Sequence, residues 1–306
     1  MSTEPLLGCP VCGAAGLAGD TFCEACGAEV GAARDAARHH AEIDRGTMAG
    51  ITDRGLVHRR NEDAVHLESG GAGAVLAVCD GVSSSTGSEV AAQVAAEELG
   101  RSGADALRRR EDDPDGWDAG QVVREAVGRA VDTVVTIPWM DDGGRDAPSC
   151  TVVMAVWDGT DVTVGWLGDS RAYWVDEAGC RQLTVDHSWA EEQISAGRLD
   201  RESAEADSRA HAITRWAGAD APPGPCPIAS LRPRRPGRLI VCTDGLWNYT
   251  PMTEDLARLV AAHGDATPST VARSLVRHAL AHGGHDNVTV AVAEIVPPIT
   301  TALEGA

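Results

Sequence analysis

Two sets of residues in this chain could hold metal ions. Near the start, Cys9-Pro-Val-Cys12-Gly13 is echoed by Cys23-Glu-Ala-Cys26-Gly27, two CxxC pairs separated by ten residues. Four thiolates at that spacing can converge tetrahedrally on one structural Zn²⁺, and the glycine after each pair allows the tight turn that aims amides at the sulfurs. Such a site has no open coordination position, so its work is folding and docking. Two disulfides or free thiols are the competing reading. Further on, acids stand at the ends of apolar runs. Asp80-Gly81 closes Leu76–Cys79, Asp244-Gly245 closes Leu239–Thr243, Asp286-Asn287 opens Val288–Val292, and Asn61-Glu62-Asp63 precedes Ala64–Leu67. Carboxylates held at strand rims, beside a free glycine carbonyl, suit a hard divalent cation with oxygen ligands. Any one Asp-Gly pair also makes an ordinary turn.

The elements that must position these groups show in the spacing of apolar residues. Ala74–Cys79, Thr151–Trp157, Val162–Leu167, Leu239–Cys242 and Val288–Val292 read as strands, rich in Val and Ala and bounded by turn pairs. Helical stripes run through Val123, Val127, Val131 (or Ala130) and Val134, and through Val271, Leu275 and Ala279. Val90, Val94, Ala95 and Leu99 suggest a third helix, and Ser188 with Glu191 forms a capping box before Trp189–Ala196. Strands and helices cluster rather than alternate strictly, which favours a layered α+β fold. The expected division is a zinc ribbon over 1–30, a linker over 31–50, one main domain over 51–296 with a polar flap at 197–221, and a tail at 297–306.

Composition limits the partners. The chain has 306 residues, with 46 acids against 26 bases and a formal net charge of −20; every strong base is an arginine. The 43% apolar fraction is enough to fill a core. The acid excess argues against duplex nucleic acid and against anionic lipid as main partners. Residues 1–30 contain no arginine or lysine, so a docking role for the ribbon points to protein. Neither a membrane-length apolar run nor a signal-peptide pattern is present, and the scattered Cys79, Cys150, Cys180, Cys226 and Cys242 read as reduced, mostly buried thiols. Together these features lead us to expect a cytosolic protein.

The order of motifs from Asp53 to Ile295 resembles the metal-dependent protein phosphatases of type 2C. The matching pieces are Asn61-Glu62-Asp63, Asp80-Gly81, Ser149-Cys150-Thr151, Gly168-Asp169-Ser170-Arg171, Leu183–Ser188, Thr214-Arg215, Thr243-Asp244-Gly245-Leu246 and Asp286-Asn287-Val288-Thr289. The resemblance implies a four-layer α-β-β-α sandwich of two antiparallel sheets with a dinuclear Mn²⁺ or Mg²⁺ centre at one end. It implies Asp63, Asp80, Asp244 and Asp286 as carboxylate ligands, with Asp80 bridging both ions and Gly81 giving its carbonyl. Glu62 would act mainly through metal-bound water, Asp169 with Asp244 would form a weaker third site, and Asn287 would orient the Asp286 loop. The implied reaction is hydrolysis of phosphoserine or phosphothreonine in proteins by a hydroxide bridging the ions. Serine/threonine kinases or their substrates are the implied partners.

Two departures from the family pattern stand out. His58 occupies the position where the family commonly has an arginine that clamps the substrate phosphate, and a bidentate arginine is not replaced by histidine without loss. Val82-Ser83-Ser84-Ser85-Thr86-Gly87 replaces the loop usual after Asp-Gly, and Val82 cannot serve as a general acid. On these two changes rests a rival reading, a catalytically weak or inactive phosphoprotein-binding scaffold of the same fold. His39-His40 is expected to be solvated, Arg108-Arg109-Arg110 to lie in a mixed surface loop, and the tryptophans, Trp247 among them, to serve core and loop packing.

Overall fold

The computed structural model describes residues 39–70, 73–114, 116–140 and 146–298, with short pieces at 7–8, 15–16 and 25–26. Strands β1 (Leu7–Gly8) and β2 (Ala15–Gly16) pair antiparallel. Cys26 is exposed in a turn, while Cys9, Cys12 and Cys23 lie outside the described residues, as do residues 299–306 of the expected tail.

The described residues from 39 onward form two antiparallel sheets between two layers of helices. In chain order the elements begin with β3 (His40–Asp44), β4 (Met48–Asp53), β5 (Asp63–Gly70) and β6 (Gly73–Asp80). Helices α1 (Ser88–Asp112) and α2 (Ala119–Val135) follow, then β7 (Ser149–Cys150), β8 (Val152–Trp157), β9 (Val162–Leu167), β10 (Arg171–Asp176) and β11 (Gly179–Gln182). Helix α3 (Trp189–Ser195) precedes the flap, which carries α4 (Arg201–Glu205) and β12 (Ala217–Gly218). The chain then runs through β13 (Ile228–Leu231), β14 (Gly237–Cys242), α5 (Asp244–Trp247), α6 (Thr253–Ala261), α7 (Pro268–Ala281) and β15 (Val288–Ile295). One sheet has the order β11-β10-β14-β15-β4-β3, the other β13-β9-β8-β6-β5.

The period of two along each strand assigns the faces. On β6, Leu76 and Val78 point into the core between the sheets, while Val75, Ala77 and Cys79 meet the helices. On β14, Leu239 and Val241 face the inner core, and Ile240 and Cys242 pack under α5–α7. β8 and β9 are buried at every position, as strands covered on both faces must be. Helix α2 presents Val123, Ala126, Val127, Ala130 and Val134 to the core, so the stripe turns on Ala130 rather than Val131. Its start is fixed by Asp118, whose side chain accepts from Gln121 N–H at 2.9 Å. The Ser188 cap also forms, accepting from Glu191 N–H at 3.3 Å.

Several boundaries differ from the sequence expectation. Residues 40–50, expected in a linker, lie within β3, β4 and the turn between them, and β4 pairs with β15 along Val288↔Asp53 to Ala293↔Met48. His40 is not simply solvated; its Nδ1 lies 2.7 Å from Asp53 Oδ2. Arg108–Arg110 is the end of α1 rather than a loop, where cations complement the helix dipole. Within α1 the buried face is Ala91, Ala92, Ala95, Ala96 and Leu99, and Val90 is exposed. The flap is less irregular than expected: its Ala204 and Ala210 form a small core with Ala190 of α3, and β12 pairs with β7.

Candidate metal centre

The antiparallel register brings the acids to one end of the sandwich. Asp63 opens β5 directly opposite Asp80, the last residue of β6. Across the inner core, β14 ends at Cys242 and hands the chain to Thr243-Asp244, while Asp286-Asn287 leads into β15, its antiparallel neighbour. Glycine is required where these segments meet: a Cβ on Gly245 would stand 1.9 Å from Asn287 O. A Cβ on Gly81 would stand 2.7 Å from Glu62 O and 2.8 Å from Ser88 Cβ.

Asn287, only 3% exposed, ties the site together. Its amide donates to Arg54 O at 2.8 Å and to Arg60 O at 2.9 Å, and its Oδ1 accepts from Glu62 N–H at 2.7 Å. It therefore anchors the whole Arg54–Glu62 loop, a wider task than orienting Asp286. A ladder of threonine hydroxyls supports the acids from below. Thr52 accepts from Thr289 Oγ1 at 2.7 Å, Thr243 Oγ1 accepts from Thr289 N–H at 3.0 Å, and Thr243 Oγ1 donates to Asp63 Oδ2 at 2.9 Å. Thr151 Oγ1 accepts from the Asp80 N–H at 3.2 Å and pairs with Ser170 Oγ at 2.7 Å.

The electrostatics are those of acids crowded together. Burial pushes the Asp63 carboxyl up to about 8, against hydrogen bonds from Thr289 and Thr243 and with the charges of Asp244 and Asp286 adding to the rise. Burial, then Asp63, Asp244, Asp169 and Asp286, holds Asp80 well above its ordinary range. Asp169 is raised to about 8 by burial and Asp244. Asp244 is raised to about 6 by burial and Asp286, with Asp80 and Asn248 as hydrogen-bond partners opposing the shift.

Asp244 and Asp286 each turn one oxygen onto a local donor. Asp244 Oδ2 accepts from Asn248 at 3.2 Å, and Asp286 Oδ1 from its neighbour Asn287 N–H at 2.7 Å. Among the described residues, no three His, Cys, Asp or Glu side chains close to a formed ligand cluster. What remains is the fit of the donors: Asp63 Oδ1 and Asp244 Oδ1 are buried with no hydrogen-bond partner. Buried carboxylate oxygens without a donor are costly unless a cation satisfies them, so an all-oxygen set of this kind fits a hard divalent ion.

The remaining expected residues lie around this cluster. His58 Nε2 stands 3.4 Å from Asp286 Oδ1. Glu62 accepts from Ser83 Oγ and Ser88 Oγ, each at 2.8 Å. Trp247 is buried, as core packing predicts; its indole N–H donates to Asp169 O at 2.9 Å, and the Arg171 guanidinium lies 3.7 Å from its ring centroid. Arg171 also forms a fork with Asp186, at 2.6 Å for the shortest contact, on the wall of a cavity of about 260 Å³ beside the flap. That cavity contains none of the clustered acids.

The chain is 29% identical over 251 residues to the serine/threonine protein phosphatase PstP of Mycobacterium tuberculosis, covering 81% of this chain and 45% of that protein. It is 31% identical over 146 residues to the serine/threonine phosphatase stp of Listeria monocytogenes, covering 47% and 56% respectively. The chain thus spans about half the length of these curated relatives. Its fold matches the crystal structure of M. tuberculosis PstP with a TM-score of 0.65 at 26% identity, over 81% of this chain and 98% of that one. It also matches the PstP catalytic domain in complex with two manganese ions, with a TM-score of 0.61 at 26% identity, over 81% and 97%. The profile of the protein phosphatase 2C family covers residues 56–281. This chain belongs to the protein phosphatase 2C family.

Proposed function

We propose that this chain is a Mn²⁺- or Mg²⁺-dependent phosphatase acting on phosphoserine and phosphothreonine in proteins. The observation that carries the reading is the pair of buried, unpartnered oxygens, Asp63 Oδ1 and Asp244 Oδ1, within a cluster of acids. Asp63, Asp80, Asp244 and Asp286, with the Gly81 carbonyl, would hold two cations; Asp169 would contribute to a third, weaker site. When bound, such ions activate water near neutral pH and neutralise charge on the phosphoryl oxygens. The protein's part is to fix the ligands: Thr243 and Asn248 orient Asp63 and Asp244, and Asn287 holds the loop that carries His58 and Glu62. His58 would face the substrate phosphate. The test is phosphate release from a phosphothreonine peptide, expected with Mn²⁺, abolished by EDTA and restored by added Mn²⁺. Metal-independent release would contradict the reading.

The N-terminal segment is proposed as a separate unit, a zinc ribbon over 1–30 built on Cys9, Cys12, Cys23 and Cys26 that docks a protein partner. The spacing of the cysteines supports it, and so does the antiparallel pair β1–β2, which brackets the first CxxC in sequence. Metal analysis should give one Zn per chain, lost in Cys9→Ser and Cys26→Ser; zinc content unchanged in both would contradict the ribbon. The protein's partners are proposed to be phosphorylated kinases or their substrates, and its compartment the cytosol. No helix among the described residues is long and apolar enough to cross a membrane.

A further inference from the structure

Glu62 is held more completely than any of the other acids around the site. Its backbone N–H donates to Asn287 Oδ1 at 2.7 Å, and its carbonyl accepts from Gly81 N–H at 3.1 Å. Both carboxylate oxygens are also engaged: Oε2 by Ser83 Oγ and Oε1 by Ser88 Oγ, each at 2.8 Å. The two serines reach Glu62 from different elements. Ser88 is the first residue of α1 and is 1% exposed, so its hydroxyl must find its partner inside the protein. The helix has Gly87 as its N-cap, with φ of 66° and no side-chain cap bond, and Ser88 is turned to Glu62.

Ser83 is exposed but not loosely placed. Val82 N–H donates to Ser149 O at 3.0 Å, Ser85 N–H closes a turn onto Val82 O at 2.8 Å, and Thr86 N–H donates to Asp146 O at 3.0 Å. The loop that departs from the family pattern is thus pinned at both ends and delivers one hydroxyl to Glu62.

The kind of donor matters. Nearby, Glu89 is paired with Arg60 at 3.4 Å, an arrangement that compensates its charge. Glu62 is instead held by neutral hydroxyls, which fix the carboxylate without cancelling its charge. A carboxylate has about four acceptor sites, so each oxygen keeps one free. A carboxylate that is fixed and only half satisfied is suited to act on a cation or on its hydration shell.

We infer that Ser83 and Ser88 are positioning residues for the cation site, holding in place the carboxylate of Glu62, the residue next to Asp63. This rests on the metal-dependent reading above. Neither serine touches substrate in this scheme; each acts through Glu62.

The experiment is calorimetric titration of the full chain with Mn²⁺, for wild type, Ser83→Ala, Ser88→Ala, Ser83→Thr and Ser84→Ala. Loss of an outer-shell donor typically weakens metal binding 10- to 100-fold, so the Kd for Mn²⁺ should rise roughly tenfold in Ser83→Ala and in Ser88→Ala. Ser83→Thr keeps the hydroxyl and should restore the wild-type Kd. Ser84, whose hydroxyl faces Asp146 at 3.4 Å, should be replaceable without effect. Melting in EDTA separates positioning from folding: Ser83 is on the surface, so Ser83→Ala should melt with wild type. If Ser83→Ala and Ser88→Ala bind Mn²⁺ with the wild-type Kd, the inference is overturned while the metal-dependent reading stands. A wild-type chain that binds no Mn²⁺ overturns both.

Discussion

His58 shows how a single position can tune this site. Its imidazole is 3.4 Å from Asp286 Oδ1, where it can offer one charged hydrogen bond only when protonated. An arginine there would be charged at every working pH and could meet a phosphate with two donors. His58→Arg should therefore lower the KM for a phosphopeptide, by roughly tenfold if one added charge-assisted bond contributes about 1.5 kcal/mol. Steady-state kinetics at fixed Mn²⁺ would check it; an unchanged or higher KM would remove position 58 from the phosphate. The acids were legible in the sequence because each ends or opens an apolar run beside glycine or asparagine. The hydroxyls that serve them were not. Thr52, Thr243 and Thr289 are ordinary strand residues until the sheet register stacks them, and Ser83 and Ser88 gain meaning only from Glu62.

At the level of elements, the decisive contact joins two loops through one side chain. Asn287 satisfies two carbonyls and one amide of the Arg54–Glu62 loop, and no other residue type offers two donors and an acceptor in that geometry. Asn287→Ala would leave these groups short of partners and cost roughly 2 kcal/mol, or about 4–8 °C in Tm for a domain of this size. Thermal melts in EDTA would show it, and a Tm unchanged within a degree would contradict the anchoring role. The strands that sequence found best are β6, β8, β9, β14 and β15, whose Val- and Ala-rich runs lie in the sheet interiors. β3 and β4 escape because their Ala, Glu, Gly and Asp residues carry little strand preference; pairing of β4 with β15 and of β3 with β4 makes them strands. β10 was read only as the motif Gly168–Arg171, although it pairs along its length with β14. Arg108–Arg110 reads as a loop in the sequence because a run of like charges hides helical periodicity.

Across the whole molecule the net charge is −20, and a few of its acids face one another at one end of the sandwich. Without metal, the carboxyls of Asp63 and Asp169 bind protons up to about pH 8 and Asp244 up to about 6, whereas in the unfolded chain they release them near 3.8. The folded state thus holds more protons across that window, so the stability of the metal-free protein should fall as pH rises from about 4 to 8. Cation binding should reverse the trend, because the ions bind the deprotonated carboxylates. The increase in Tm on adding Mn²⁺ should be larger at pH 8 than at pH 5; an equal or smaller increase would argue against these acids as the ligands. The same acid field repels a phosphate dianion, so substrate capture must depend on local cations at the site.

Everything above turns on whether Asp244, with its unpartnered buried oxygen, belongs to a working metal site. The direct measurement is hydrolysis of a phosphothreonine peptide by wild type and Asp244→Ala side by side, with Mn²⁺ binding determined on the same samples. Wild type should bind Mn²⁺ and release phosphate, and Asp244→Ala should lose at least about 100-fold in turnover, or roughly 2.7 kcal/mol in the barrier. A wild-type chain that binds Mn²⁺ yet releases no phosphate, or an Asp244→Ala variant as active as wild type, would contradict the account.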